Sequence, residues 1–211
     1  VLDAVFSFGS PGDRPLAGDW NGDGVTDVGV VRNGLFYLDH DGNRRWNSAQ
    51  DVVYRLPYRS GTTHKVLQGF NGKFTHTGDL QYAVDFDLAE GTEVLAAREG
   101  TVVLTEQRFK EGGIDPKFWT AVNFVIVQHA DGTLAEYDHL QYLGVRAKVG
   151  QKVVPGDLLG FSGNTGYSQM PHLHFVIYRA KDGYSRESFP MKFLVGGRAK
   201  APVEGESYRA P

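Results

Sequence analysis

The 211-residue chain is long enough for one sizeable core plus a small appendage, and its 22 basic and 25 acidic residues leave a formal net charge of -3 without a block of either sign. That balance offers nothing to a nucleic-acid backbone or an anionic membrane, and no apolar run approaches the roughly 20 residues of a membrane span. The absence of cysteine excludes disulfides and thiolate metal ligands, while 27 glycines scattered among short apolar runs read as a turn-rich β protein.

In chain order, residues 1–48 are dense in Asp, Asn and Gly, residues 52–199 alternate strand-like runs with glycine turns, and residues 200–211 read as a loose tail. The chain begins without methionine and without a charged start followed by an apolar core. With the lack of cysteine, this suits an exported bacterial protein, secreted or in the cell envelope, whose leader has been removed. Within the front segment, Asp19, Asn21, Asp23 and Asp27 stand at positions 1, 3, 5 and 9 of a loop with Gly24 at the sharp turn, which is calcium-loop spacing. Position 12 is Val30 where a full calcium loop carries Glu, so a plain Asp/Gly turn competes with a calcium site.

Alternation predicts strands over 34–39, 82–88, 93–97, 101–105, 121–129, 134–139, 157–161 and 172–178. Hairpin turns are expected at Arg98-Glu99-Gly100 and Ala130-Asp131-Gly132. The class is mainly β, with antiparallel pairing favoured by the short connections.

Strand phase then sorts the chemistry. In "HLHFVIY", His172 and His174 share one face while Leu173, Phe175 and Ile177 share the apolar one. In "YAVDFDL", Asp85 and Asp87 fall on the polar face; His76 lies in a glycine-containing loop just before, and "AEYDHL" puts Tyr137 and His139 on one face. Two histidines and a carboxylate suffice for zinc, and a fourth position left to water makes such a site catalytic. An isolated His-x-His reads equally well as two surface histidines, so the weight rests on the several segments together.

The ordered pieces "VDFDLAEGTEVLAAREGTVV", "YDHL", "VGQKVVPGDLLGFSGNTG" and "PHLHF" resemble the LytM-type, lysostaphin-like (M23) zinc metallopeptidases over about residues 70–195. The resemblance implies an antiparallel β-sheet metallopeptidase core with a small β appendage in front. It implies a zinc endopeptidase that hydrolyses peptide cross-links of bacterial peptidoglycan through a metal-activated water. Carried over by motif, His76, Asp85 and His174 would hold zinc, and His139 and His172 would be the unliganded catalytic pair. One departure stands out: eight residues separate His76 from Asp85 where the family usually has three, which leaves Asp79 as the fallback ligand. The front segment, with "GDWNGDGVTDVGV" and "GLFYL", resembles a single FG-GAP or VCBS-type repeat. Rival readings are a non-catalytic wall-binding or amidase-activating module of the same fold, or a calcium-dependent adhesion module.

Of the remaining residues, His129 is read as structural beside its turn, and His40 and His64 as surface residues. Asp87 is expected to orient a ligand histidine, Tyr137 to pack near the site, and "FSGNTGYSQM" to form a turn lining the substrate groove.

Overall fold

The computed structural model describes residues 12, 14–18, 26–32, 35–38, 52–180 and 185–211. The chain divides into two compact units, Val1–Asp51 and Val52–Pro211. In the first, Arg14–Gly18, Asp27–Arg32 and Leu35–Leu38 form a three-stranded antiparallel sheet. Asp19, Asn21, Asp23 and His40 lie outside the described residues, and Asp27 opens the second of these strands.

The second unit is built on a nine-stranded sheet. Its strands are β1 (Thr63–Gln68), β2 (Val84–Phe86), β3 (Gly100–Glu106), β4 (Phe124–Gln128), β5 (Leu134–Asp138), β6 (Lys152–Val153), β7 (Leu173–Ala180), β8 (Arg186–Ser188) and β9 (Ser207–Arg209). The hydrogen-bonded order is β6-β3-β4-β5-β7-β2-β1-β9, with β8 paired to β7. Each of these pairings is antiparallel, as expected, with β4 and β5 joined by a short turn.

Period-two alternation decides which side of this sheet becomes core. Leu173, Phe175 and Ile177 of β7 and Val84 and Phe86 of β2 are fully buried on one face. Phe86 and Phe175 meet Phe193 with ring centroids 5.5 and 5.8 Å apart, the first edge-on at 77°. On the opposite face the register sets His174 against Asp85 on one side and against Asp138 on the other.

Several expectations are corrected here. The turn at Arg98-Glu99-Gly100 does not close a hairpin: Glu93–Leu95 pairs with Leu158–Phe161 in a separate two-stranded sheet, while β3 pairs with β4 and β6. The Ala130-Asp131-Gly132 turn does join β4 to β5 as a hairpin. Tyr137 packs in the core, 5.0 Å from Phe175 and away from the polar face, because its strand phase matches Phe175. His64 is half-buried, its ring 4.6 Å from that of Tyr58 and its Nδ1 2.8 Å from the carbonyl of Asp87. The tail is not loose, since β9 extends the sheet beside β1 and buries Tyr208 and Ala210.

His129 joins the two turn regions. Its Nδ1 donates to the Glu99 carbonyl at 2.7 Å, while Arg98 bridges to Asp131 at 2.7 Å. Burial, reinforced by the Arg98 charge, pushes the imidazole from 6.5 down to about 4. The unfolded chain therefore takes up this proton first. The stabilisation of the neutral ring is complete above pH 6.5 and is lost as pH falls through 4, an effect of about 3 kcal/mol. Thermal midpoints of the metal-free protein should fall between pH 7 and pH 4, and His129→Gln should flatten that decline; identical slopes in both proteins would refute the assignment.

Candidate metal centre

The centre gathers one loop residue and two strand residues. Asp85 sits mid-β2 and His174 early in β7, directly opposite one another in the ladder, and His76 comes from the loop after β1. All three are buried. His174 Nδ1 lies 2.8 Å from Asp85 Oδ1, His76 Nε2 lies 3.2 Å from the same oxygen, and the two nitrogens are 3.3 Å apart. Among the described residues this is the cluster of His, Asp and Glu side chains that could hold a metal ion.

The hydrogen bonds around the cluster determine what it can hold. His76 Nδ1 donates to the Gly69 carbonyl at 2.8 Å, so Nε2 of the neutral ring carries only a lone pair. That lone pair faces a carboxylate oxygen and a second imidazole nitrogen, an arrangement that a cation between them would relieve. Ligands about 2.1 Å from a tetrahedral zinc ion stand roughly 3.4 Å from one another, close to the separations found. The set of two nitrogens and one oxygen suits zinc. Burial would raise the Asp85 carboxyl, but the imidazoles of His174, His76 and His172 beside it hold it well below the ordinary carboxylate range.

Two further histidines border the cluster. His172 is tied by Nδ1 to the Met170 carbonyl at 2.8 Å, and its Nε2 lies 3.7 Å from Asp85 Oδ1. His139 donates from Nδ1 to the Thr165 carbonyl at 2.7 Å, and its ring centroid is 4.5 Å from that of His172. Both rings are thereby fixed in the tautomer whose Nε2 is free to accept. Burial, followed by His172 and His174, lowers the His139 pKa to about 3.

His139 reaches this face only because the strand ends at Asp138. With φ at 64° it adopts the left-handed conformation, uncommon outside glycine, which breaks the alternation that would have placed it with Tyr137. The following peptide is clamped: Leu140 N donates to Asn123 O at 3.0 Å, and Leu140 O accepts from Thr165 Oγ1 at 2.8 Å and Asn123 Nδ2 at 3.2 Å.

Other functional neighbours were not found by sequence reasoning. Gln68 Nε2 donates to Asp85 Oδ2 at 3.2 Å and to Thr75 Oγ1 at 2.8 Å, joining the carboxylate to the His76 loop. A register shift between Val66 and Gln68, the mark of a β-bulge, brings Gln68 opposite Asp85. Asp138, opposite His174, is half-buried, and its buried Oδ1 has no hydrogen-bond partner among the described residues. Burial and the charges of Glu136 and Asp85 raise its pKa well above the usual range despite Arg186. Strand phase alone could have placed Glu136 and Asp138 on the face of His174.

Two residues do not take the places expected of them. Asp79, in the 3-10 turn Gly78–Leu80, is exposed and outside the cluster. Asp87 is also exposed, and the carbonyls of Gly69, Thr165 and Met170 fix the imidazoles in the way expected of it. The loop "FSGNTGYSQM" lines the cleft through Tyr167, Ser168, Gln169 and Met170, as expected; the cleft measures about 400 Å³.

A mainly antiparallel β domain with two imidazoles and a carboxylate converging beneath a cleft, flanked by two tautomer-locked histidines, defines a metal-site protein of the hydrolase type. The chain belongs to Peptidase family M23, whose sequence profile matches residues 79–186. It is 32% identical over 148 residues to the peptidoglycan DD-endopeptidase ShyA of Vibrio cholerae, a match covering 67% of this chain and 31% of that protein. To lysostaphin of Staphylococcus simulans it is 36% identical over 118 residues, covering 56% of this chain and 22% of the relative. The solved structure of the antimicrobial peptidase lysostaphin from Staphylococcus simulans matches with 29% identity and a TM-score of 0.44, over 59% of this chain and 47% of that one. The chain thus spans a third or less of these curated relatives.

Proposed function

We propose that the protein is a zinc-dependent endopeptidase that hydrolyses peptide cross-links of bacterial peptidoglycan, acting outside the cell or in its envelope. The convergence of His76, Asp85 and His174 beneath an open cleft carries this reading. Membership of Peptidase family M23 and similarity to a peptidoglycan DD-endopeptidase and to lysostaphin support it.

His76 Nε2, Asp85 Oδ1 and His174 Nδ1 would hold the ion. Zinc there would supply a Lewis acid that acidifies water toward neutral pH and polarises the scissile carbonyl. His139, its Nδ1 tied to the Thr165 carbonyl and its ring lining the cleft, takes on Nε2 the proton released as water attacks the substrate carbonyl carbon. That proton is then available for the leaving amine. His172 Nε2 faces the same space and is placed to hydrogen-bond the developing oxyanion when protonated. Gln68 keeps the Asp85 carboxylate from rotating away from the two nitrogens.

Chelation tests the reading directly. Treated with a chelator and dialysed, the protein should release one zinc per chain and cease to liberate muropeptides from purified walls, measured by mass spectrometry. Adding back one equivalent should restore release. Undiminished hydrolysis after complete metal removal would overturn the assignment.

A further inference from the structure

A buried hydroxyl stands behind His172. Ser168, 2% exposed in the loop before β7, holds its Oγ 3.2 Å from His172 Nδ1, 2.8 Å from the Met170 carbonyl oxygen and 2.6 Å from Asn164 Oδ1. The Met170 carbonyl itself accepts from His172 Nδ1 at 2.8 Å. Three polar groups thus converge on one hydroxyl, and two of them belong to the same small network as the imidazole.

The single hydroxyl hydrogen fixes the direction of that network. Asn164 Oδ1 and the Met170 oxygen can only accept, so the Ser168 hydrogen goes to one of them, with Asn164 the shorter contact. A lone pair of Oγ then faces His172 Nδ1, beside the Met170 oxygen. With acceptors on both sides, Nδ1 carries the hydrogen. The other tautomer would turn the hydroxyl away from Asn164 and leave the Met170 oxygen facing a nitrogen lone pair at 2.8 Å.

That other tautomer has a competitor's claim, because Asp85 Oδ1 lies 3.7 Å from His172 Nε2 and would accept a hydrogen placed there. Such a contact would engage the oxygen that His76 and His174 both approach and would turn Nε2 from the substrate. Ser168 and Met170 keep the hydrogen on Nδ1. Nε2 is left to gain and release its own while the ring stays in place.

The hydroxyl is held by a rigid segment. Gly166–Tyr167 pairs in parallel with Gly112–Gly113, and Ser168 N donates to the Gly113 carbonyl at 3.3 Å. A Cβ on Gly112 would stand 1.9 Å from the Asn164 carbonyl oxygen, so only glycine lets the two strands approach this closely. Residues 164–168 also supply the Thr165 carbonyl that fixes His139, so one segment sets both unliganded imidazoles.

We propose that Ser168, oriented by Asn164, is a positioning residue that holds His172 in the tautomer whose Nε2 faces the cleft. Its catalytic consequence rests on the peptidase reading above. With isotope-labelled histidine in mildly alkaline buffer, nitrogen chemical shifts should place the hydrogen on Nδ1 of His172, with zinc and without it; His172→Gln identifies the signal. Hydrogen on Nε2 in the parent protein would overturn the proposal whatever the variants do. In Ser168→Ala the Nδ1 hydrogen should exchange faster with solvent or the two tautomers should mix. Ser168→Thr, which keeps the hydroxyl, should restore the parent spectrum. Asn164→Ala, at a half-buried position, should loosen the same hydrogen more weakly. A parent-like spectrum in both alanine variants would overturn the role.

Kinetics on a soluble cross-linked muropeptide adds the consequence. Ser168→Ala should still bind one zinc per chain and keep its KM, while kcat falls roughly 10- to 100-fold, the scale of a misplaced catalytic group. Ser168→Thr should recover most of that loss. A raised KM with unchanged kcat would make Ser168 a substrate contact, and lost zinc would make it a support of the metal; either would overturn the positioning role. A His172 hydrogen that loosens in Ser168→Ala, in a protein that hydrolyses nothing, would remove the peptidase reading and leave the placement of the ring standing.

Discussion

Replacing Asp85 by alanine should remove zinc and hydrolysis together, whereas replacing His139 by alanine should leave zinc bound and lower turnover by about two to four powers of ten. The difference follows from which atoms face the cluster. Asp85 Oδ1 lies within 3.2 Å of both candidate ligand nitrogens and supplies the negative charge among the three groups. Without it, two neutral imidazoles remain, one of them fixed with its lone pair outward by Gly69. His139 stands one ring further out, 5.9 Å from His174 between centroids, and is held by Thr165 independently of the cluster. Bound zinc measured by mass spectrometry beside muropeptide release distinguishes the two variants. Asp79→Ala supplies the control: exposed and outside the cluster, it should change neither quantity by more than about twofold. Zinc loss in Asp79→Ala with retention in Asp85→Ala would reverse the ligand choice.

The parts of the site that strand alternation governs were legible in the sequence. His174 and Asp85 both follow from period two, and the ladder sets them directly opposite one another. His172 precedes β7, but its bridge to Gly163 keeps the extended phase, so it too lies where alternation puts it. Alternation fails where the backbone leaves the strand. His139 reaches the cleft by a left-handed residue and Gln68 by a bulge, two local events that composition does not announce. The locks on the imidazoles are invisible for a different reason: their acceptors are main-chain carbonyls of Gly69, Thr165 and Met170, and any residue type offers one. Partner choice was illegible as well. Glu93–Leu95 and β3 flank a plausible turn, but each pairs with a strand distant in sequence.

Deleting residues 201–211 should unfold or severely destabilise the second unit, although the composition of that stretch reads as a frayed end. β9 hydrogen-bonds along β1, Gly61 and Val66 donate to the carbonyls of Ala210 and Glu206, and Tyr58 Oη donates to Tyr208 O at 2.9 Å. Tyr208 is buried, and its hydroxyl accepts from Val203 N at 3.0 Å, folding the tail over its own anchor. Removing one large aromatic side chain from such a position costs about 3–5 kcal/mol, so Tyr208→Ala alone should lower the thermal midpoint by roughly 10 °C. The effect should extend to the metal. β1 is the strand beside which β2 presents Asp85, and Gly69 N donates to Glu204 Oε2 at 3.3 Å while its carbonyl orients His76. Melting curves with and without zinc should therefore show a smaller zinc-induced rise in Tyr208→Ala than in the parent protein. A deletion variant that melts within about 2 °C of the full chain would show the tail to be an ornament and not a structural strand.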